Sequence, residues 1–466
     1  MKKIILATIV MLFAITLTVG QEEITGKWNG VLNIPGSQLR LVLDIEKTNT
    51  GFMSTLYSLD QGGQPIPVTT TTFENSILIF KVVAIGASYQ GKLVGASIKG
   101  DFIQGGLNLP LVLSREESKK VLLKRPQEPQ EPFSYYSEEV TFKNEKAAIS
   151  LSGTLTLPRK EGKYPAVILI TGSGPQDRNE ELAGHKPFLV ISDYLTKKGI
   201  AVLRYDDRGF GKSTGDFKAA ISEDFAVDVE SAISYLKTRK EIHKNKIGLV
   251  GHSEGGLIAP MVAAKSKDVN FIVLLAGPGI PGDQLLLLQG ELIEKAMGRT
   301  AAEIKSSKEM KNELFKMITN SKDVNTLKKE MNDYLLVALK NDTSDIPKGM
   351  SVQKFVSNQI KALTNLWMIN FIKYDPAIAL EKVKCAVLAV NGEKDLQVPP
   401  KENLGAISSA LKKGGNKKVT LIAFPKLNHL FQESETGSPM EYEVIEETFS
   451  EEALAKIAAW IQKQVK

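Results

Sequence analysis

Seven short apolar runs set the strongest limit on how this chain folds. They lie at 149–157, 166–170, 201–204, 247–250, 271–276, 386–390 and 419–424. Stretches of helical periodicity at 191–198, 226–237 and 257–264 fall between them, and another at 453–463 follows the last. Strands that alternate with helices build a parallel sheet. Nearly unbroken apolar runs are what strands buried on both faces require. Residues 281–377 interrupt this alternation. They are rich in helix formers, with candidate helices at 285–296, 301–318, 324–339 and 352–363, and predict a helical cap over the sheet.

Residues 22–113 obey a different rule. Alternating runs at 39–45, 52–58, 77–83, 88–94 and 107–113 are separated by turn chemistry such as Asn49-Thr50-Gly51 and Gln104-Gly105-Gly106. The spacing predicts about eight short strands in a sandwich or small barrel. Gly26-Lys27-Trp28 resembles the Gly-x-Trp of lipocalin-like barrels, with Trp28 expected as a core plug. Between the two regions, 124–132 carries three prolines, which forbid a regular helix or a central strand. The expected organisation is therefore an all-β accessory domain at 21–116, a Pro-rich linker at 117–136 and a catalytic α/β domain at 137–466 with its cap at 281–377.

Residues 1–20 read as a secretory signal. Lys2 and Lys3 precede an uncharged apolar run at 4–19 that ends in the small residues Thr18-Val19-Gly20. As a helix the 16-residue run spans about 24 Å, short of the roughly 30 Å hydrocarbon layer. No stable membrane span is expected after its removal, and the protein is expected to be exported, periplasmic or secreted. A lone cysteine, Cys385, excludes an intrachain disulfide and a Cys-based zinc site. The net charge of +6 comes from interspersed signs, which argues against a nucleic-acid binder.

Gly251-His252-Ser253-Glu254-Gly255-Gly256 joins the run at 247–250 to the helix at 257–264. Gly-x-Ser-x-Gly in a strand–turn–helix context holds a serine on a tight, exposed turn. A serine hydroxyl needs a base to act as a nucleophile at neutral pH. Of the four histidines, His252 adjoins the serine and is expected to point elsewhere, and His243 lies at the far end of the strand. His185 follows the first crossover, where a surface or supporting role is expected. His429 follows the run at 419–424, at the C-terminal edge where sites in open α/β sheets form. Asp395 follows the run at 386–390 and is the expected partner of that base, with Glu393 as its rival. Two backbone amides must receive the oxyanion. Glu254, next after the serine, is one expected donor; Ser173, in the turn Thr171-Gly172-Ser173-Gly174, is the other, with Gly172 as the alternative. No metal motif is present.

Residues 138–466 resemble the α/β-hydrolase superfamily, and within it exported bacterial carboxylesterases grouped with serine aminopeptidase-like and prolyl-oligopeptidase-like hydrolases. The resemblance is carried by 172–178, Arg204-Tyr205-Asp206-Asp207-Arg208-Gly209, 251–256, 392–399 and His429. It does not extend to the cap, and it implies hydrolysis of a small-molecule carboxylic ester through an acyl-enzyme, without a cofactor. It also implies the triad Ser253, Asp395 and His429, with oxyanion donors Ser173 and Glu254. Thr171 departs from the pattern, since many members carry histidine there. The 92 residues from 22 to 113 are too few for the propeller of gated oligopeptidases. A peptidase or aminopeptidase with the same triad, an acyltransferase, and a non-catalytic binding protein stay open as alternatives.

Overall fold

The computed structural model describes residues 24–34, 37–61, 63–104, 107–117, 124–340, 346 and 350–466. The expected signal at 1–20 and residues 118–123 of the expected linker lie outside them. Among the described residues the chain forms two compact units, one built by 24–33 and 39–117, the other by those from 124 to 466 together with 34, 37 and 38.

The first unit holds β1 (Gly26–Ile34), β2 (Ser37–Thr48), β3 (Gly51–Ser58), β4 (Pro65–Pro67), β5 (Thr70–Glu74), β6 (Ile77–Val82), β7 (Ala87–Val94), β8 (Ser97–Gln104) and β9 (Leu107–Ser114). Neighbours run β2-β1-β9-β8-β7-β6-β5-β3, and β3 pairs back to β2, so eight strands close a ring; β4 is a short addition on β3. Of the sandwich and the barrel, the chain forms the barrel, in which no sheet edge is left open. Alternation puts Leu78, Phe80 and Val82 of β6 inside, with Leu43, Leu56, Tyr89, Ile98 and Phe102. Trp28 is buried among them; its indole N–H donates to the Ile24 carbonyl at 2.7 Å, and the Arg115 guanidinium stacks 3.9 Å from the ring centre.

The second unit is a sheet of β10 (Tyr136–Asn144), β11 (Ile149–Leu157), β12 (Tyr164–Ile170), β13 (Ala201–Tyr205), β14 (Ile242–His252), β15 (Val269–Leu275), β16 (Ala386–Gly392) and β17 (Val419–Phe424). Their order is β10-β11-β13-β12-β14-β15-β16-β17. The pairings from β13 to β17 are parallel, whereas β11 runs antiparallel to both its neighbours. This is the α/β-hydrolase strand order. The sheet is thus mixed rather than purely parallel. Its additional strand, β10, has a half-exposed, alternating pattern that carries no continuous apolar signal.

The helices are α1 (Pro187–Lys197), α2 (Ser222–Thr238), α3 (Glu254–Ala263), α4 (Gly282–Ala296), α5 (Ala301–Asn320), α6 (Val324–Ala338), α7 (Val352–Leu363), α8 (Leu366–Lys373), α9 (Ala377–Leu380), α10 (Pro400–Lys413) and α11 (Glu451–Gln464). Successive side chains of a strand face opposite ways. In β12, Ala166, Ile168 and Ile170 join the core with α2, α3 and α10, while Val167 and Leu169 join the core with α1 and α11. Between β15 and β16, α4 to α8 gather round their own core of Leu314, Ile318, Met331, Leu335 and Val356. Thr300, Asp323, Ser351 and Asn365 start four of these helices, each side chain accepting a first-turn N–H. Residues 124–135 form neither helix nor strand. The stretch is fastened to the second unit, because the Arg125 guanidinium donates to the carbonyls of Ala183, Gly184, Glu443 and Ile445.

Candidate active site

The elbow lies between β14 and α3. Ser253 has φ 50° and ψ −116°, a conformation that costs a non-glycine residue about 1–3 kcal/mol and persists only where its surroundings enforce it. They do so here: its N–H donates to the Leu275 carbonyl at 2.9 Å, and its carbonyl accepts from Gly256 at 2.8 Å. A Cβ on Gly251 would stand 2.0 Å from the Gly255 carbonyl oxygen, and one on Gly255 2.1 Å from that of Ile170. Strand, turn and helix approach so closely that only glycine fits at either position.

Asp395 and His429 come from the loops after β16 and β17, and both are buried. His429 Nδ1–H donates to Asp395 Oδ2 at 2.8 Å. Asp395 Oδ1 accepts the backbone N–H groups of Gln397 and Val398 at 2.8 and 2.9 Å. The carboxylate therefore orients the ring, with Nδ1 turned to Asp395 and Nε2 turned away from it. Glu393, the rival acid, is exposed and makes no such contact. Ser253 Oγ makes no hydrogen bond among the described residues. Its neighbour His252 links it to the base loop instead, with His252 Nε2 at 3.0 Å from the His429 carbonyl oxygen and the two rings 4.8 Å apart.

The turn after β12 lies against the elbow: a Cβ on Gly172 would meet Ser253 Cβ at 3.3 Å. The Gly172 N–H is already taken, donating to Glu180 Oε1 at 2.7 Å. The Ser173 N–H has no hydrogen-bond partner among the described residues. Nor has that of Glu254, which is the first residue of α3 and one of the four orphan donors of a helix start. The Glu254 side chain is buried, and its Oε1 accepts from Ser222 Oγ and, at 2.7 Å, from Trp367 Nε1 on α8. Burial, with the charge of Glu223 added, pushes this carboxyl above the ordinary glutamate value of 4.5.

Two of the blocks that carried the resemblance meet behind this turn. Asp206 pairs with Arg178, whose Nη2 lies 2.8 Å from Oδ2. Asp207 Oδ1 accepts Thr171 Oγ1–H at 2.8 Å, and its Oδ2 accepts the Gln176 N–H at 2.9 Å. Burial pushes Asp207 well above the usual carboxylate range. Thr171 thus binds Asp207 at the position where histidine is usual. His185 is fully buried, bonded to Thr448 Oγ1 and the Tyr442 carbonyl, so it supports the loop before α11 and is not on the surface. Glu180, Trp367 and the engagement of His252 were missed in the sequence. Only the place of His252 beside the serine carried any signal. Among the described residues no group of three or more His, Cys, Asp or Glu side chains could hold a metal ion. No described helix is long and apolar enough to cross a membrane.

The family model described as the C-terminal domain of BAAT and acyl-CoA thioester hydrolases matches residues 229–434. Esterase EstD of Thermotoga maritima is 25% identical over 334 residues, covering 72% of this chain and 69% of that protein. Putative hydrolase YtaP of Bacillus subtilis is 34% identical over 133 residues, covering 25% of this chain and 44% of that protein. An esterase of Pyrococcus furiosus of known structure shares 16% identity, covering 72% of this chain and 94% of that one with a TM-score of 0.42. The strand order and the glycine-bounded serine elbow give the second unit of this chain the α/β-hydrolase fold.

Proposed function

We propose that the protein is a serine esterase that cleaves carboxylic esters through an acyl-enzyme, with Ser253 as nucleophile, His429 as base and Asp395 as the acid that orients it. The observation that carries this reading is the buried Asp395–His429 hydrogen bond at the sheet edge that also carries the strained Ser253 elbow. His429 Nε2 removes the Ser253 proton as Oγ attacks the ester carbonyl. The oxyanion is received by the amides of Ser173 and Glu254. His429 then protonates the leaving alcohol and later draws a proton from the water that frees the acid, while Asp395 stabilises the imidazolium. The cap holds a cavity of about 500 Å³ lined by Leu286, Ile293, Leu314, Phe355 and Met368. Its helices α4 and α8 also carry Gln289 and Trp367, which bond to Gln397 and Glu254. We assign that apolar space to the acyl chain. The family match to thioester hydrolases favours a second substrate class for the same triad, acyl thioesters. Residues 1–20 are proposed as an export signal, which cell fractionation and N-terminal sequencing of the mature protein test.

The discriminating panel is p-nitrophenyl acetate, butyrate and octanoate, alanyl and prolyl p-nitroanilides, and an acyl-CoA followed by thiol release, each with wild type and Ser253→Ala. Ester turnover that vanishes in the mutant, without anilide cleavage, is expected. Faster thiol release than ester cleavage would make the thioester reading primary, and efficient anilide cleavage would replace both with a peptidase.

A further inference from the structure

The proposed triad uses one histidine–carboxylate pair, yet a second lies against it. His252 Nδ1 is 2.9 Å from Glu180 Oε1, and both side chains are buried. His252 Nε2 faces the backbone carbonyl of His429 at 3.0 Å. A carbonyl only accepts, so Nε2 carries a proton. Nδ1 faces a carboxylate oxygen that also accepts the Gly172 amide, so that contact needs a proton of its own. Unlike His429, this imidazole has no nitrogen left for chemistry.

We infer that His252, clamped by Glu180, is a positioning residue that carries both ring protons and ties the Gly172 turn, the Ser253 elbow and the His429 loop into one rigid site. The inference rests on the serine-hydrolase reading of that site. The three segments come from different stretches of the chain, and the Glu180–His252 unit bonds to all of them: to Gly172 through Oε1, to the elbow by being its neighbour, and to the base loop through Nε2. The clamp also selects the oxyanion donor. By holding the Gly172 N–H, Glu180 takes the alternative donor of that turn and leaves the Ser173 N–H free. The titratable groups facing His252 are Glu180, His429 and Asp395. Asp207 lies behind them, within the field of Glu180 and Glu254. Burial opposes an imidazolium at 252, but the Glu180 charge and the hydrogen bonds to Glu180 and the His429 carbonyl outweigh it and raise the pKa above 6.5.

Three variants test this in the full-length protein. His252→Leu removes the clamp and should lower kcat on p-nitrophenyl butyrate by about 10- to 100-fold with KM within about twofold, the signature of misplaced catalytic groups. His252→Gln restores a donor to the His429 carbonyl and should recover kcat to within about fivefold of wild type. Glu180→Gln keeps an acceptor for Gly172 but removes the charge, so the alkaline fall of kcat should move to lower pH. In ¹H–¹⁵N spectra, His252 should give two ring N–H signals in wild type and one in Glu180→Gln. His252→Leu with kcat within twofold of wild type and an unmoved pH profile would overturn the inference, as would a single ring N–H signal in wild type. If His252→Leu does not fold, His252→Gln and Glu180→Gln carry the same comparison. A wild type that neither hydrolyses esters nor takes a fluorophosphonate at Ser253 would defeat the hydrolase reading instead, and the count of ring protons would still decide the clamp.

Discussion

The barrel interior and the C-terminal edge of the hydrolase sheet are both buried, but they bury opposite kinds of group. Inside the barrel the described residues include no buried charged side chain; the buried polar ones are Asn29, Ser54 and Ser58. The Tyr89 hydroxyl there donates to the carbonyls of Ile98 and Leu111, and burial pushes that phenol far up. The sheet edge buries Glu180, Asp207, Glu254 and Asp395 together with His185, His252 and His429. Burying a polar group is unfavourable unless it is hydrogen-bonded, and each of these is. The barrel interior therefore reads as a packing device, and the sheet edge as a place where packing has been given up for oriented charge and dipoles.

Mutations should separate the two regions by what they damage. The largest effect is expected from Ser253→Ala: a loss of at least about 10⁴-fold in kcat/KM with no change in Tm, read by ester kinetics and calorimetry. Asp395→Asn should follow, at about 10³- to 10⁴-fold in kcat, because His429 would then be free to adopt the wrong tautomer. In the barrel, Trp28→Ala should cost about 3–5 kcal/mol in denaturant unfolding through the lost ring, its stacking on Arg115 and its bond to Ile24. Ester turnover measured well below the transition should persist. If Trp28→Ala lost turnover while still folded, the barrel would belong to the active site and the contrast would fail.

The smallest effect is expected at Glu254. Its folded pKa lies above 4.5, so the folded state keeps a proton that the unfolded chain has released. Stability is then fully present below the unfolded value and declines as pH rises through the folded one. Glu254→Gln keeps the acceptor for Ser222 and Trp367 without a charge to bury. Its Tm should exceed that of wild type at pH 8, and the gap should close towards pH 4. Parallel Tm curves would show that the carboxyl is not held neutral.

The parts of this site that backbone geometry dictates were legible in the sequence. A serine between close-packed glycines needs the strand–turn–helix around Ser253, and chain order with a sheet edge leads to Asp395 and His429. The all-β unit could be read from alternation alone, but the choice between barrel and sandwich depended on the pairing of β3 with β2. What escaped depends on contacts rather than on local pattern. Glu180 reaches the elbow from a loop residue with φ 53°, and no motif announces it. Trp367 meets Glu254 across 113 residues of chain. His252 could be placed in the turn but not aimed, because its two partners lie on other loops. β10 escaped because its outward positions are exposed, and α10 because it begins at Pro400, directly after Pro399.

The central claim is that Ser253 is an activated nucleophile at this edge. The most direct measurement is reaction of the purified protein with a fluorophosphonate, followed by peptide mapping. The account predicts one label per chain, on Ser253, abolished in Ser253→Ala and strongly slowed in His429→Ala. No label on the folded protein, or a label on another residue that survives Ser253→Ala, would contradict it.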